Sequence, residues 1–223
     1  MSKIIFDVLS ERIGETGVSN GVLYTIDETG KYTDGVAWNG LTDVNESSTG
    51  AEPTPFYADN KKFIEMMSAE EFAASIEAFM YPDEFKPCIG ETEVSAGLTI
   101  TQQEHKTFGF VYKSNVINGE EGECGYKLHL IFGAKASVSS VSRTTVNETP
   151  DLLKFSWDVT TTPVPVTGHK PTAHFVIDTT KLGSEDATTL AALEDQLFGK
   201  DGEVGDAIVP NMPLPDAIIA MFA

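Results

Sequence analysis

A chain of 223 residues with 34 acidic and 15 basic side chains carries a formal charge of −19, which argues against a protein that grips nucleic acid through Lys and Arg. Hydrophobic residues make up 41% of it and aromatic ones 9%, a globular composition that argues against extended disorder. Two cysteines, Cys88 and Cys124, are too few for a disulfide scaffold or a cysteine zinc site and read as reduced thiols.

Residues 1–17 lack the long apolar segment of a secretory signal, and no run approaches the roughly twenty apolar residues of a membrane span. The expectation is a chain made in the cytoplasm that binds no membrane. Residues 22–27 and 32–39 read as strands flanking Glu28, Thr29, Gly30 and Lys31, a hairpin connection. Residues 41–60 are rich in Ser, Thr, Asn, Asp, Gly and Pro and read as a long loop, either a surface excursion or a functional segment. Phe56 and Tyr57 offer apolar anchors near its end. Residues 68–85 carry helix signals: Ser68 and Glu71 are spaced as a capping box, and Phe72, Ile76, Phe79 and Met80 have helical spacing.

Further strands are predicted at 106–113, 125–132 and 138–146, the first two separated by a polar turn at 118–122. Tyr126, Leu128, Leu130 and Phe132 lie opposite Lys127, His129 and Ile131. Residues 154–180 show the clearest alternation. Leu153, Phe155, Trp157 and Val159 share one face and Lys154, Ser156, Asp158 and Thr160 the other, so Phe155 and Trp157 are predicted core. Pro163 and Pro165 end the pairing near Thr162 and Gly168 permits the turn. Alternation then resumes with Ala173, Phe175 and Ile177 against His174, Val176 and Asp178, with Phe175 assigned to the core. Trp38 sits in an alternating strand and reads as core too. Leu190, Leu193 and Leu197 have helical spacing with Gly199 as a stop, and 184–223 reads as a C-terminal helical segment and tail. Many closely spaced strands predict a mainly β chain, a single domain over 1–223 with a sandwich or partial barrel and one or two short helices.

Chemistry-bearing motifs are not evident. His105, His129, His169 and His174 are scattered without metal-ligand spacing and read as surface residues. No Gly-x-Ser-x-Gly elbow, phosphate loop or dinucleotide fingerprint occurs. The acidic stretch 119–125 suits neither phosphate nor an EF-hand pattern. No catalytic, cofactor or metal residue is assigned, and an enzyme is not expected.

Short segments along most of the chain resemble the major tail tube proteins of long-tailed, non-contractile phages of Gram-positive bacteria. The resemblance runs through Tyr57, Ala58, Asp59 and Asn60, then Ile76, Glu77 and Ala78 with the Tyr-Pro-Asp-Glu-Phe run at 81–85. It continues through Gly109 and Phe110, Gly125 to Lys127 with His129 and Leu130, residues 155–164, and Leu214, Pro215 and Asp216. It implies a tail-tube-type β-sandwich in which 72–81 is a strand, against the helix signals. It also implies hexameric rings stacked into a tube around a tape-measure protein, between tail terminator and distal tail proteins. That assembly is a virion conduit through which double-stranded DNA passes without adhering. On this reading Phe56, Tyr57, Asp59 and Asn60 are inter-subunit loop candidates. Glu77, Asp158 and Asp178 are candidates for an acidic lumen wall, the other option being an outer solvent face. The alternative function is a ligand-binding β-sandwich for carbohydrate or cell-surface recognition, which exposes clustered aromatics at one loop end.

Overall fold

Alternating sequence becomes paired strand through most of the chain: the computed structural model is 52% strand and 16% helical. It describes Phe6, Val8 and residues 12–119, 122–139, 141–145, 151–202 and 207–223. In order these hold β1 (Ile13–Ile26), β2 (Tyr32–Trp38), β3 (Leu41–Gly50), β4 (Pro53–Ala58), β5 (Lys61–Met67) and β6 (Glu70–Ala78). A 3₁₀ turn (Asp83–Ile89) and the short strands β7 (Thr92–Ser95) and β8 (Leu98–Ile100) follow. Then come β9 (Phe108–Asn118), β10 (Gly122–Val138), β11 (Phe155–Thr161), β12 (His174–Asp178), α1 (Ala187–Phe198) and α2 (Pro215–Met221).

Eight strands form one antiparallel sheet in the order β2-β1-β9-β10-β11-β6-β3, with β12 added to β10. The sheet curls so that β3 returns against β1, where Leu41 packs over Gly21. This makes a partial barrel with a core on each face. The inner core holds Leu23, Trp38, Ile76, Phe85, Phe110, Ile131, Trp157 and Val159. The outer core holds Tyr24, Val111, Leu130, Phe132 and Ile177 under Leu193, Leu197 and Ile218 of the two helices. Neighbours in sequence therefore enter opposite cores, as Leu130 and Ile131 do. Trp157 is a predicted core residue found in the core, and Phe155 packs half-buried beside it. Phe175 is half-buried against the outer core, not within it.

The helices dock through polar anchors as well as apolar surface. The Tyr24 hydroxyl donates to the Leu197 carbonyl at 2.6 Å, and the Asp216 carboxylate accepts from the backbone and hydroxyl of Thr167 at 2.8 and 2.7 Å. Gly199, with φ 82°, ends α1 as expected from the sequence.

Two expected segments need correction. Residues 41–60 are not a long loop: 41–50 is β3, paired with β6 from Asp43↔Glu77 to Gly50↔Glu70, and 53–58 is β4 of a hairpin. Ladder pairing satisfies the backbone there despite the loop-like composition. Residues 138–146 hold no separate strand among those described. β10 runs unbroken to Val138, 141–145 lie outside regular structure, and Val146 is outside the described residues. The turn at 118–122 likewise includes Glu120 and Glu121, outside the described residues. The strand expected at 72–81 is present as β6 as far as Ala78, with 79–81 beyond its end, and the helix signals are overridden because Ala74, Ile76 and Ala78 bury against Val159, Trp157 and Phe155 across the ladder.

Candidate assembly surface and inner polar cluster

Among the described residues, strands β4 and β5 pair only with each other. Asp59 and Asn60, at φ 50° and 60°, form the two-residue tip between Ala58 and Lys61, which matches the positive φ of a tight hairpin turn. Phe56 and Tyr57 stand on the arm below the tip. Tyr57 is 71% and Phe63 77% exposed, and Phe56, Ile64, Met66 and Met67 are exposed as well. An isolated two-stranded hairpin is marginally stable in water, and contiguous exposed apolar surface marks a contact site. The small β7–β8 hairpin exposes Val94, Leu98 and Ile100 similarly.

The three lumen candidates do not share one face. Glu77 and Asp158 lie on the outer side of β6 and β11, in register with Ser156 and Ser75 respectively, opposite the buried Trp157 and Ile76. Lys154 pairs with Glu77, and Asp158 is exposed. Asp178 has the opposite facing: it follows the outer-core Ile177 and pairs with Lys127. It also caps the 3₁₀ turn Thr179–Lys181, accepting from the Thr180 N–H at 3.1 Å and hydroxyl at 2.6 Å. Burial pushes this carboxyl up, but those bonds outweigh it and hold Asp178 below the usual range.

At one mouth of the barrel the inner core gives way to polar side chains. Tyr112, Ser114 and His129 occupy inward positions of β9 and β10, Glu46 points in from β3, and His174 from β12. His129 is buried and His174 half-buried, so the expectation of surface histidines is wrong for both. The reason is that β10 is covered on both faces. Ile131, next to His129 on the same face, was the available sequence signal. His129 stacks on Tyr112 with centroids 4.6 Å apart and planes 5° apart, and His174 stacks on Phe72 at 4.5 Å.

Nδ1 of His129 lies 3.0 Å from Glu46 Oε1 and 3.2 Å from His174 Nε2. His174 Nε2 is 3.6 Å from the same Glu46 oxygen. Tyr112 donates its hydroxyl hydrogen to that oxygen too. Burial pushes the Glu46 carboxyl up, but the adjoining His129, the Tyr112 hydrogen bond and the nearby His174 prevail and hold it at about 2. Burial, seconded by the Glu46 carboxylate, pushes the Tyr112 hydroxyl well above its ordinary value. Burial lowers His174, with Glu46 opposing. On the far side of His129, Glu15 joins Lys127 and accepts the Ser114 hydroxyl at 2.5 Å. Among the described residues, Glu46, His129 and His174 are the group whose ligand atoms converge as a metal site requires, all within 4.8 Å of one another. His105 and His169 lie outside it.

No protein-family model matches the chain, and no curated protein matches it significantly.

Proposed function

We propose that the chain is a structural subunit of tail-tube type, polymerising as stacked hexameric rings into a conduit for DNA. The observation that carries this reading is the β4–β5 hairpin, an apolar arm that none of the described residues covers. Covering it in a neighbouring copy offsets its exposure, and repetition of one such contact around an axis closes a ring. Hexamer number, tape-measure protein, terminator and distal partners, virion location and DNA passage rest on the sequence resemblance alone. Phe56, Tyr57 and Phe63 are also aromatics of the kind a carbohydrate module displays. Ile64, Met66 and Met67 beside them supply no hydrogen bonds to sugar hydroxyls, which favours a protein contact.

The register supplies a clean test. Gly50 faces Glu70 directly at the base of the arm, so replacing residues 51–69 by Asn-Gly closes a two-residue hairpin without disturbing the large sheet. The truncated chain is expected to keep its circular dichroism and melting transition while electron microscopy shows dispersed particles where wild-type chain forms rings or tubes. Normal tubes from the truncated chain, or dispersed wild-type particles under every assembly condition, would overturn the reading.

A second expectation concerns charge. Replacing Glu77 and Asp158 together by Lys changes each subunit by about four charge units. If this face lines the conduit, virions carrying the pair release DNA slowly at low salt and recover as salt screens the wall. Wild-type release at low salt assigns both residues to an outer surface.

A further inference from the structure

We propose that Glu46, His129 and His174 form a binding site for a divalent transition-metal ion of the zinc class, stapling β3 to β10 and β12 at the mouth of the barrel. Ligand bonds of about 2.0–2.1 Å in a tetrahedron place ligand atoms about 3.3–3.4 Å apart, and the three separations here are 3.0, 3.2 and 3.6 Å. Two imidazole nitrogens and a carboxylate oxygen make a donor set that suits zinc, cobalt, nickel or copper better than magnesium or calcium.

Ser114 has one hydroxyl hydrogen, and it goes to Glu15 Oε1. The 3.0 Å contact between Ser114 Oγ and His129 Nε2 therefore needs the hydrogen on Nε2, and the Glu15 carboxylate 3.3 Å from the same nitrogen needs it there too. In the neutral ring Nδ1 then carries a lone pair. That lone pair faces the Glu46 carboxylate, whose oxygen already receives the only hydrogen of Tyr112. Acceptor against acceptor in a buried setting is repulsive, and a cation between them reverses the sign. A histidine whose second ring nitrogen donates to a carboxylate or hydroxyl, which orients the ring and raises its basicity, is the usual outer arrangement of a metal ligand. Stacking on Tyr112 and Phe72 holds the two rings in place.

Access and a fourth position come from the mouth. A cavity of about 540 Å³ opens there, lined by Glu46, His129, Tyr112, Lys127 and Val176 among others, and the Glu46 side chain is 34% exposed. Three protein ligands with water in the remaining position follow. β3 and β12 are not neighbours in the sheet, so the ion links parts of the barrel that no ladder joins. The site belongs to a single chain and does not depend on the assembly reading.

The test uses the full chain, stripped with chelator and titrated with Zn²⁺, Co²⁺ or Mg²⁺. One Zn²⁺ per chain by calorimetry, a rise in melting temperature with Zn²⁺ but not Mg²⁺, and the strong visible absorption of low-coordinate Co²⁺ are expected. Glu46→Gln and His174→Gln, both at partly exposed positions, should each weaken Zn²⁺ binding at least about tenfold, by analogy with the tenfold to hundredfold cost of losing even outer-shell partners. Equal Zn²⁺ binding by wild type and both variants would show adventitious surface sites and overturn the assignment. So would wild-type chain that neither binds Zn²⁺ nor colours with Co²⁺. Should either variant fail to fold, the wild-type Co²⁺ spectrum decides alone.

Discussion

Trp157→Ala is expected to cost about 3–5 kcal/mol of stability, the range for deleting a buried Phe or Trp side chain and leaving its cavity. Trp157 is 1% exposed and meets Trp38, Tyr81 and Phe85 edge-on at 5.5, 5.4 and 5.3 Å, with Phe155 stacked at 5.8 Å. The surrounding rings come from β2, β11 and the chain between β6 and β7. Trp38 is itself tied by its Nε1–H to the Met80 carbonyl at 2.9 Å. Such a cluster has little freedom to collapse into the gap. At two to four degrees per kcal/mol for a chain of this size, the melting temperature should fall by roughly 6–20 °C. An unchanged transition in a soluble variant would contradict the burial of this side chain.

Gly133→Ala should be nearly as damaging, for a backbone reason. β10 pairs with β12 over Lys127–Ile131 and with β11 from Ala134 to Val138, and its pairing with β9 is irregular between Ile131 and Ala134. Gly133 occupies that irregularity at φ 60°. Its N–H donates to the Tyr32 hydroxyl at 2.8 Å and its carbonyl accepts from Thr162 at 2.9 Å. A Cβ here strikes the Thr162 carbonyl, a backbone group that cannot rotate away. The left-handed conformation costs an alanine about 1–2 kcal/mol and the forced displacement about 1–3 kcal/mol more. Gly168→Ala provides the control, because Gly168 has φ 78° with nothing within 4 Å of its added carbon and should show only the first cost. Urea denaturation of both variants checks the difference, and equal midpoints would remove the steric contribution at Gly133.

The strands that bury one side chain in two were readable from residue order. Trp157 and Val159 in β11, the turn at Gly168, and the stop of α1 at Gly199 all lie where alternation, proline and glycine place them. Local pattern reports a residue's own backbone preference and its nearest neighbours' polarity, and for these segments both agreed with the packing. Elsewhere they did not agree. Ser68, Glu71, Phe72 and Ile76 carry helix signals, yet Ile76 sits across the ladder from Trp157. The apolar pairs Phe63–Ile64 and Met66–Met67 follow neither a helical nor a strand period, because a hairpin exposed on both sides has no inner face to impose one. His129 looked wet because the cover over its face comes from curling of the whole sheet. Glu46, His129 and His174 come from three strands remote in sequence and meet only after β3 has returned across the barrel. That meeting depends on long-range register, which no short window of residues encodes.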